Sequence, residues 1–106
     1  MLDFEYNHDG LVFRWNEAKA ELNMQKHGIS FEEAATAFRD IGAQIYNDEE
    51  HSEDEYRFIL LGYSVITRLL IVCHCYRGDN ESEVRIISAR IATQQEKKRY
   101  EEMRKI

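Results

Sequence analysis

The chain of 106 residues is 43% apolar and 32% charged, which leaves room for one domain with a modest core and is too apolar for intrinsic disorder. Its apolar runs, such as residues 58–61, are far shorter than the roughly 20 residues that a membrane span requires. Asp3 and Glu5 stand where a signal peptide would have a basic flank. We therefore expect a single domain over residues 1–106, cytoplasmic and without membrane contact.

The net charge of −6 is unevenly distributed along the chain. Residues 1–55 hold 4 basic and 14 acidic side chains, whereas residues 56–106 hold 10 basic and 6 acidic ones. This asymmetry predicts a basic working surface built mainly from the C-terminal half. The acidic run at residues 48–55 is interpreted mostly as a solvated loop.

The N-terminal part predicts a β-hairpin followed by two short helices. Strands are expected at residues 2–6 and 11–15, because Asp9-Gly10 between two apolar runs is typical of a hairpin turn. A first helix is predicted over residues 17–27, with an N-cap before it and a helix-ending glycine after it. A capping box then predicts a second helix over residues 31–38.

The C-terminal part predicts most of a sheet and a final helix. Strands are expected at residues 43–46, 56–63, 69–76 and 84–89, and a second capping box opens a helix from residue 93 to about 104. The strand at 69–76 is apolar on both faces, which favours a central position. The predicted fold class is α+β, with N-terminal strands, two short helices, an antiparallel sheet of three or four strands and a C-terminal helix.

Arginines are the side chains in the sheet region that best suit phosphate chemistry. A guanidinium group matches phosphate geometry and stabilises negative charge in a transition state. Strict alternation would place Arg85 and Arg90 on opposite faces, so they share a site only if the strand ends or bulges near Ser88. The alternative is that each arginine forms a surface ion pair. The candidates are Arg57, Arg68, Arg77, Arg85 and Arg90.

The histidines and cysteines give weaker signals. His74 lies inside an apolar strand and is interpreted as a core histidine, whereas His51 in the acidic loop is the freest to act in acid–base chemistry. Cys73 and Cys75 are two apart, so a disulfide between them would be strained, and one such pair is a weak metal signal. We expect core cysteines and no metal or cofactor.

Several motifs, in order and spacing, resemble the BrnT toxin family of type II toxin–antitoxin systems over residues 13 to about 101. They are Phe13-x-Trp15-x-Glu17-Ala18-Lys19, Asn23-x-x-Lys26-His27-Gly28-Ile29-Ser30-Phe31-Glu32-Glu33-Ala34, His51-Ser52-Glu53-Asp54-Glu55-x-Arg57-Phe58 and Arg85-Ile86-Ile87-Ser88-Ala89-Arg90-x-Ala92-Thr93.

The resemblance implies a RelE-like fold and a ribonuclease that acts on RNA and halts translation and growth. Arg68, Arg85 and Arg90 would bind the scissile phosphate, and Lys26 or Glu53 would assist proton transfer or positioning. Attack by a 2′-hydroxyl would need no metal. The resemblance also implies a ribbon-helix-helix antitoxin as partner, through which DNA is contacted.

A second hypothesis is a non-catalytic or degenerate toxin that acts as a protein-binding module. Ile91 stands where members of the family often carry a lysine, which removes one basic residue from the expected RNA surface. The net acidic charge favours the same interpretation.

Overall fold

The structure is a computed structural model that describes residues 3–8, 10–51 and 56–104. The described ranges form one sheet, three α-helices and short 3-10 turns at Ala37–Arg39, Glu49–His51 and Asp79–Glu81. The strands and α-helices, in chain order, are β1 (Asp3–His8), β2 (Leu11–Asn16), α1 (Glu17–His27), α2 (Phe31–Thr36), β3 (Gln44–Asn47), β4 (Phe58–Tyr63), β5 (Leu69–Arg77), β6 (Glu83–Ile91) and α3 (Gln94–Arg104).

All six strands belong to one mixed sheet, in the order β1-β2-β6-β5-β4-β3. The predicted α+β class and the central position of β5 are confirmed, but the predicted extent of the sheet is wrong. The N-terminal hairpin joins the other strands because β2 pairs in parallel with β6, with Phe13 opposite Val84. Pairing between residues this far apart depends on tertiary packing of the helices, which local sequence patterns do not encode.

The predicted limits of α1 are confirmed. The Asn16 side chain accepts a hydrogen bond from the Lys19 N–H at 3.1 Å. At the other end Gly28 has φ +70°, and its N–H donates to the Met24 carbonyl. A side chain at Gly28 would be strained in this left-handed conformation, so the glycine defines where α1 ends and α2 can turn back.

Helix α2 is shorter than predicted. It ends at Thr36 and continues as the 3-10 turn Ala37–Arg39. The Thr36 hydroxyl donates to the Glu33 carbonyl at 2.6 Å and accepts from the Val65 N–H, which ties the end of α2 to the β4–β5 turn. The hydroxyl therefore competes with the backbone ladder where the α-helix stops.

Helices α1 and α2 cover one face of the sheet, which we call the α1–α2 face. The main core lies there, and its side chains come from β2, both helices and the three central strands of the sheet. Its members include the fully buried Phe13, Phe31, Leu60, Leu70 and Val72. The burial of these apolar side chains is the main stabilising contribution of the fold.

The opposite face, here called the α3 face, is covered by α3 over β3, β4 and the start of β5. A small cluster of Leu61, Leu69 and Ile71 packs there against Tyr100 of α3, which is 2% exposed. The Tyr100 hydroxyl donates to Asp40 Oδ2 at 2.6 Å, and burial, together with this bond, raises the pKa of Tyr100 to about 12. Among the described residues, no other helix covers the rest of the α3 face.

In the ranges described, no helix is both long enough and apolar enough to cross a membrane.

Candidate nucleic-acid interface

A β-bulge in β6 brings Arg85 and Arg90 to the same face of the sheet. Cys73 pairs with Ser88 and His74 pairs with Ile86, so Ile87 is an extra residue in β6. Val84, Ile86 and Ala89 all belong to the core on the α1–α2 face. Arg85 and Arg90 therefore both point to the α3 face. Strict alternation would place them on opposite faces, and the bulge is the condition under which the sequence predicts a shared face.

Asn23 of α1 holds the edge of β6 just beyond the bulge. β2 pairs with β6 only as far as Arg85, so the backbone of Ala89 needs another partner. The Asn23 amide nitrogen donates to the Ala89 carbonyl at 2.8 Å, and its oxygen accepts from the Ala89 N–H at 3.1 Å. The same nitrogen also donates to the Ile29 carbonyl at 2.9 Å. This buried amide fixes the backbone that carries Arg90.

The α3 face contains a groove of about 350 Å³. Two guanidinium groups and two carboxylates line it, together with three isoleucines, a thiol and a hydroxyl. The lining residues are Asp48, Glu50, Arg57, Ile59, Ile71, Cys73, Ile87, Ser88 and Arg90. Such a mixture can hold a phosphate by its cations and a base or sugar against its apolar walls.

Cys73 is not a nucleophile in this groove. Burial and the nearby Asp48 carboxylate raise the pKa of the thiol to about 11, so it stays protonated at neutral pH. Its Sγ lies 3.8 Å from Asp48 Oδ2, where the thiol donates to the carboxylate. Cys73 and Cys75 are both free thiols. The described ranges bring no three metal-ligating side chains together.

Arg90 is oriented by the first turn of α3. Its two terminal nitrogens donate to the two oxygens of Glu96, each at 2.9 Å. Glu96 also accepts the Thr93 N–H at 2.7 Å and its own N–H donates to the Thr93 hydroxyl, so the predicted capping box is confirmed. The bidentate bond from Arg90 is the main reason why the pKa of Glu96 falls to about 2.

Arg68 lies on the other side of the sheet. It has the parity of Leu70 and Val72, which are core residues of the α1–α2 face. Its Nε donates to Glu33 Oε2 at 2.9 Å, and its NH2 group bonds to the other oxygen of Glu33. The same carboxylate accepts from the Ser64 hydroxyl at 2.7 Å. Of the predicted capping box at the start of α2, the bond from the Glu33 N–H to the Ser30 hydroxyl forms, at 3.0 Å.

Of the two remaining predicted site residues, only Lys26 is described, and it does not line the groove. Lys26 is exposed in the last turn of α1, on the same side of the sheet as Arg68. Glu53 lies outside the described residues, as do the neighbouring acidic positions 54 and 55. The structure thus places Arg85 and Arg90 on the same face of the sheet, with Arg90 lining the groove, and separates both from Arg68 and Lys26.

His74 is a core histidine, as the sequence predicts. It is fully buried on the α1–α2 face, with Nδ1 3.1 Å from the Val72 carbonyl and Nε2 3.3 Å from the Tyr76 hydroxyl. Burial lowers its pKa to about 4, so the ring is neutral at physiological pH. His74 faces away from the groove and takes no part in it.

Sequence reasoning missed several residues that shape the groove. Asp48 was assigned to a solvated loop, yet it is 9% exposed and lines the groove. The sequence indicates Asn23 only as a member of a family motif. A polar residue at a position that helical periodicity assigns to the buried side is the signal that would have found it, since buried amides are satisfied by specific partners.

The fold and this groove define a small α+β protein whose α3 face combines arginines and carboxylates in an arrangement suited to RNA. The sequence model of the family described as "Ribonuclease toxin, BrnT, of type II toxin-antitoxin system" matches residues 15–96. The chain belongs to this BrnT family.

A solved structure supports the assignment. The chain is similar to the Brucella abortus ribonuclease toxin BrnT, with 26% sequence identity and a TM-score of 0.58, over 76% of this chain and 94% of that one. No curated protein sequence matches the chain significantly. The family is one of ribonuclease toxins of type II toxin–antitoxin systems, which implies an RNA target and an antitoxin partner for the family.

Proposed function

We propose that this chain is an active, metal-independent endoribonuclease that cleaves RNA in the groove of the α3 face. The observation that carries the proposal is the joint presence of Arg57 and Arg90 with the carboxylates of Asp48 and Glu50 in one groove. Arg85 lies on the same face and extends the basic surface along β6. Its expected role is to bind the RNA backbone beyond the scissile phosphate.

The chemistry that suits these groups is internal transfer at phosphorus. The ribose 2′-oxygen forms a bond to the adjacent phosphorus while the bond to the 5′-oxygen breaks. The 2′-hydroxyl proton passes to a carboxylate, for which Asp48 and Glu50 are the described candidates, and the leaving 5′-oxygen takes up a proton. The products are a 2′,3′-cyclic phosphate and a 5′-hydroxyl.

The arginines supply the positive charge that the transition state needs. Fixed guanidinium donors stabilise charge that develops on phosphoryl oxygens, the role that a divalent cation fills in other nucleases. Arg90 is already held by Glu96 in a single orientation, which lowers the reorganisation required when RNA binds.

For Arg68 we propose a role in the stability of the fold. Two of its nitrogens bond to the Glu33 carboxylate, and this ion pair joins the start of β5 to α2. The proposed contributions of Lys26 and Glu53 to proton transfer remain predictions from the family motifs. Lys26 would have to act from the other side of the sheet. Substitution of Glu53 by glutamine tests whether the acidic segment supplies the general base.

The biological setting proposed for this activity is cytoplasmic inhibition of translation and growth. A ribbon-helix-helix antitoxin would neutralise the toxin and make the DNA contacts of the complex. Both statements extend the family assignment, which includes an antitoxin but does not specify its fold.

The test is incubation of purified protein with 5′-labelled single-stranded RNA in the presence of EDTA. We expect cleavage products that end in a 2′,3′-cyclic phosphate, and no cleavage of a substrate with 2′-deoxyribose throughout. Loss of cleavage in EDTA that is restored by Mg²⁺, or cleavage of the deoxyribose substrate, would contradict the mechanism.

The second candidate function is a non-catalytic toxin that binds a protein target. The observation that favours it is the ion pair of Arg90, whose two terminal nitrogens are both occupied by Glu96. Absence of RNA cleavage by folded protein that still binds its antitoxin would support this function over the first.

A further inference from the structure

Helices α1 and α2 enclose a second groove, of about 560 Å³, on the opposite side of the sheet from the groove that contains Arg57 and Arg90. Its floor is apolar. Trp15 and Phe31 are both buried there and meet edge to face, with ring centroids 5.8 Å apart. Met24 stands on the wall formed by α1 and is 47% exposed. An exposed methionine beside aromatic rings is typical of surfaces that accept apolar side chains.

The rim of this groove is acidic. Three glutamates line it and all are exposed: Glu17, Glu21 and Glu32. The other lining residues are Trp15, Ala18, Ala20, Met24, Ser30 and Phe31, so the described lining contains no cation. A concave apolar floor between carboxylates is complementary to a segment that carries apolar side chains on one side and lysines or arginines on its flanks.

We propose that this groove docks a basic amphipathic segment of a protein partner. Apolar side chains of the segment pack against Met24 and the half-buried Ala18 and Ala20, above the buried Trp15–Phe31 floor, while its cations pair with the glutamate rim. The family assignment supplies the class of partner, an antitoxin. The proposal rests on that partnership and is independent of whether this chain cleaves RNA.

The position of the groove has a functional consequence. Because it lies on the α1–α2 side and the arginine groove lies on the α3 face, a segment docked here leaves Arg57 and Arg90 accessible. This contact therefore anchors a partner without blocking the proposed RNA site. Neutralisation would need a further contact on the α3 face.

The chain carries its own reporter for the experiment. Trp15 is the single tryptophan of the sequence and lies in the floor of the groove. The probe is a synthetic helical peptide of sixteen residues with a leucine stripe and lysine flanks, and its control is the same peptide with glutamate flanks. We expect a saturable change in tryptophan fluorescence with the lysine peptide only, weaker as salt rises.

Matched variants locate the binding surface. Glu21→Lys with Glu32→Lys reverses two rim charges, and Glu101→Lys with Glu102→Lys makes the same change of net charge on exposed positions of α3. The rim variant should bind the lysine peptide at least about tenfold more weakly, and the α3 variant should bind nearly as well as the unchanged protein. Circular dichroism verifies that both variants are folded. If the rim variant does not fold, Glu21→Gln with Glu32→Gln takes its place.

Equally weakened peptide binding in the two variants would show that the lysine peptide is attracted to an acidic protein in general, and would overturn the proposal. The absence of a change in Trp15 fluorescence when the lysine peptide is added would also overturn it. RNA cleavage measured with the peptide bound separates this result from the ribonuclease proposal. We expect the cleavage rate to be unchanged, and inhibition by the bound peptide would contradict the separation of the two surfaces.

Discussion

Asn23 shows how one side chain can connect a helix to the surface that carries the chemistry. Its amide satisfies both backbone groups of Ala89, the residue before Arg90, and also the Ile29 carbonyl after α1. It lies on the α1–α2 side, yet it determines where the β6 backbone runs beyond the bulge. Its effect on the groove passes through the backbone rather than through contact with RNA.

Replacement of Asn23 by alanine should lower the free energy of unfolding by about 2–4 kcal/mol, because buried backbone groups lose their partners. Urea denaturation measures this. The matched control is Gln25→Ala, an exposed position on the same helix, which should change the free energy by less than about 0.5 kcal/mol. An equal effect at both positions would contradict the role assigned to Asn23.

His74 should make stability depend on pH. Burial holds its pKa near 4 in the folded protein, against about 6.5 in the unfolded chain, so the unfolded state binds more protons between these values. Stability from the neutral ring is complete above about pH 6.5 and is lost as pH falls towards 4, by up to roughly 3 kcal/mol.

The measurement is urea denaturation at pH 7.5 and pH 5 for the unchanged protein and for His74→Gln. The unchanged protein should lose more stability between the two pH values than the variant does. An identical loss in both would assign the pH dependence to other groups.

At the scale of elements, sequence patterns predicted the caps better than the pairing. Asn16, Gly28 and the Thr93–Glu96 capping box define helix limits through bonds within a few residues, so local chemistry determines them. The parallel pairing of β2 with β6 depends on the path of α1 and α2 over the sheet. A long-range contact of this kind leaves no mark in local periodicity.

Tyr100 is the buried residue of helix α3, which is also attached to β6 by the ion pair of Glu96 with Arg90. Tyr100→Phe removes the hydroxyl that donates to Asp40 and should lower the free energy of unfolding by about 1–2 kcal/mol. Thermal or urea denaturation measures the effect, and Tyr56→Phe, at a residue 78% exposed, is the control expected to show little change. Unaltered stability in Tyr100→Phe would mean that the hydroxyl of Tyr100 does not help to hold α3.

For the whole molecule, the sequence predicted the basic C-terminal half but not the division of its arginines between two faces. Because side chains alternate along a strand, the sequence predicts that Arg85 and Arg90 share a face only if the strand ends or bulges near Ser88. The extra residue at Ile87 is such a bulge. Arg68 could not be separated from them by sequence, because its partner Glu33 is distant along the chain. The groove also includes Asp48, whose burial arises only when β3 and β4 pair.

The resulting molecule has two chemically different sides. The α3 face presents arginines and carboxylates in a groove suited to RNA, and the α1–α2 side presents an apolar groove with an acidic rim. The overall acidic charge does not by itself argue against an RNA substrate, because the groove of the α3 face still brings two guanidinium groups together.

The central claim is that the arginines of the α3 face carry RNA cleavage. Its most direct test is the single-turnover rate of RNA cleavage in EDTA for Arg57→Ala and Arg90→Ala, compared with Arg39→Ala, an exposed arginine outside the groove, and Arg68→Lys. We predict losses of about 100-fold or more for the first two variants and less than about threefold for the others, since removal of one charge-stabilising donor has effects of this size. Full activity in Arg90→Ala together with loss of activity in Arg68→Lys, in folded protein, would contradict the account and place the chemistry on the α1–α2 side.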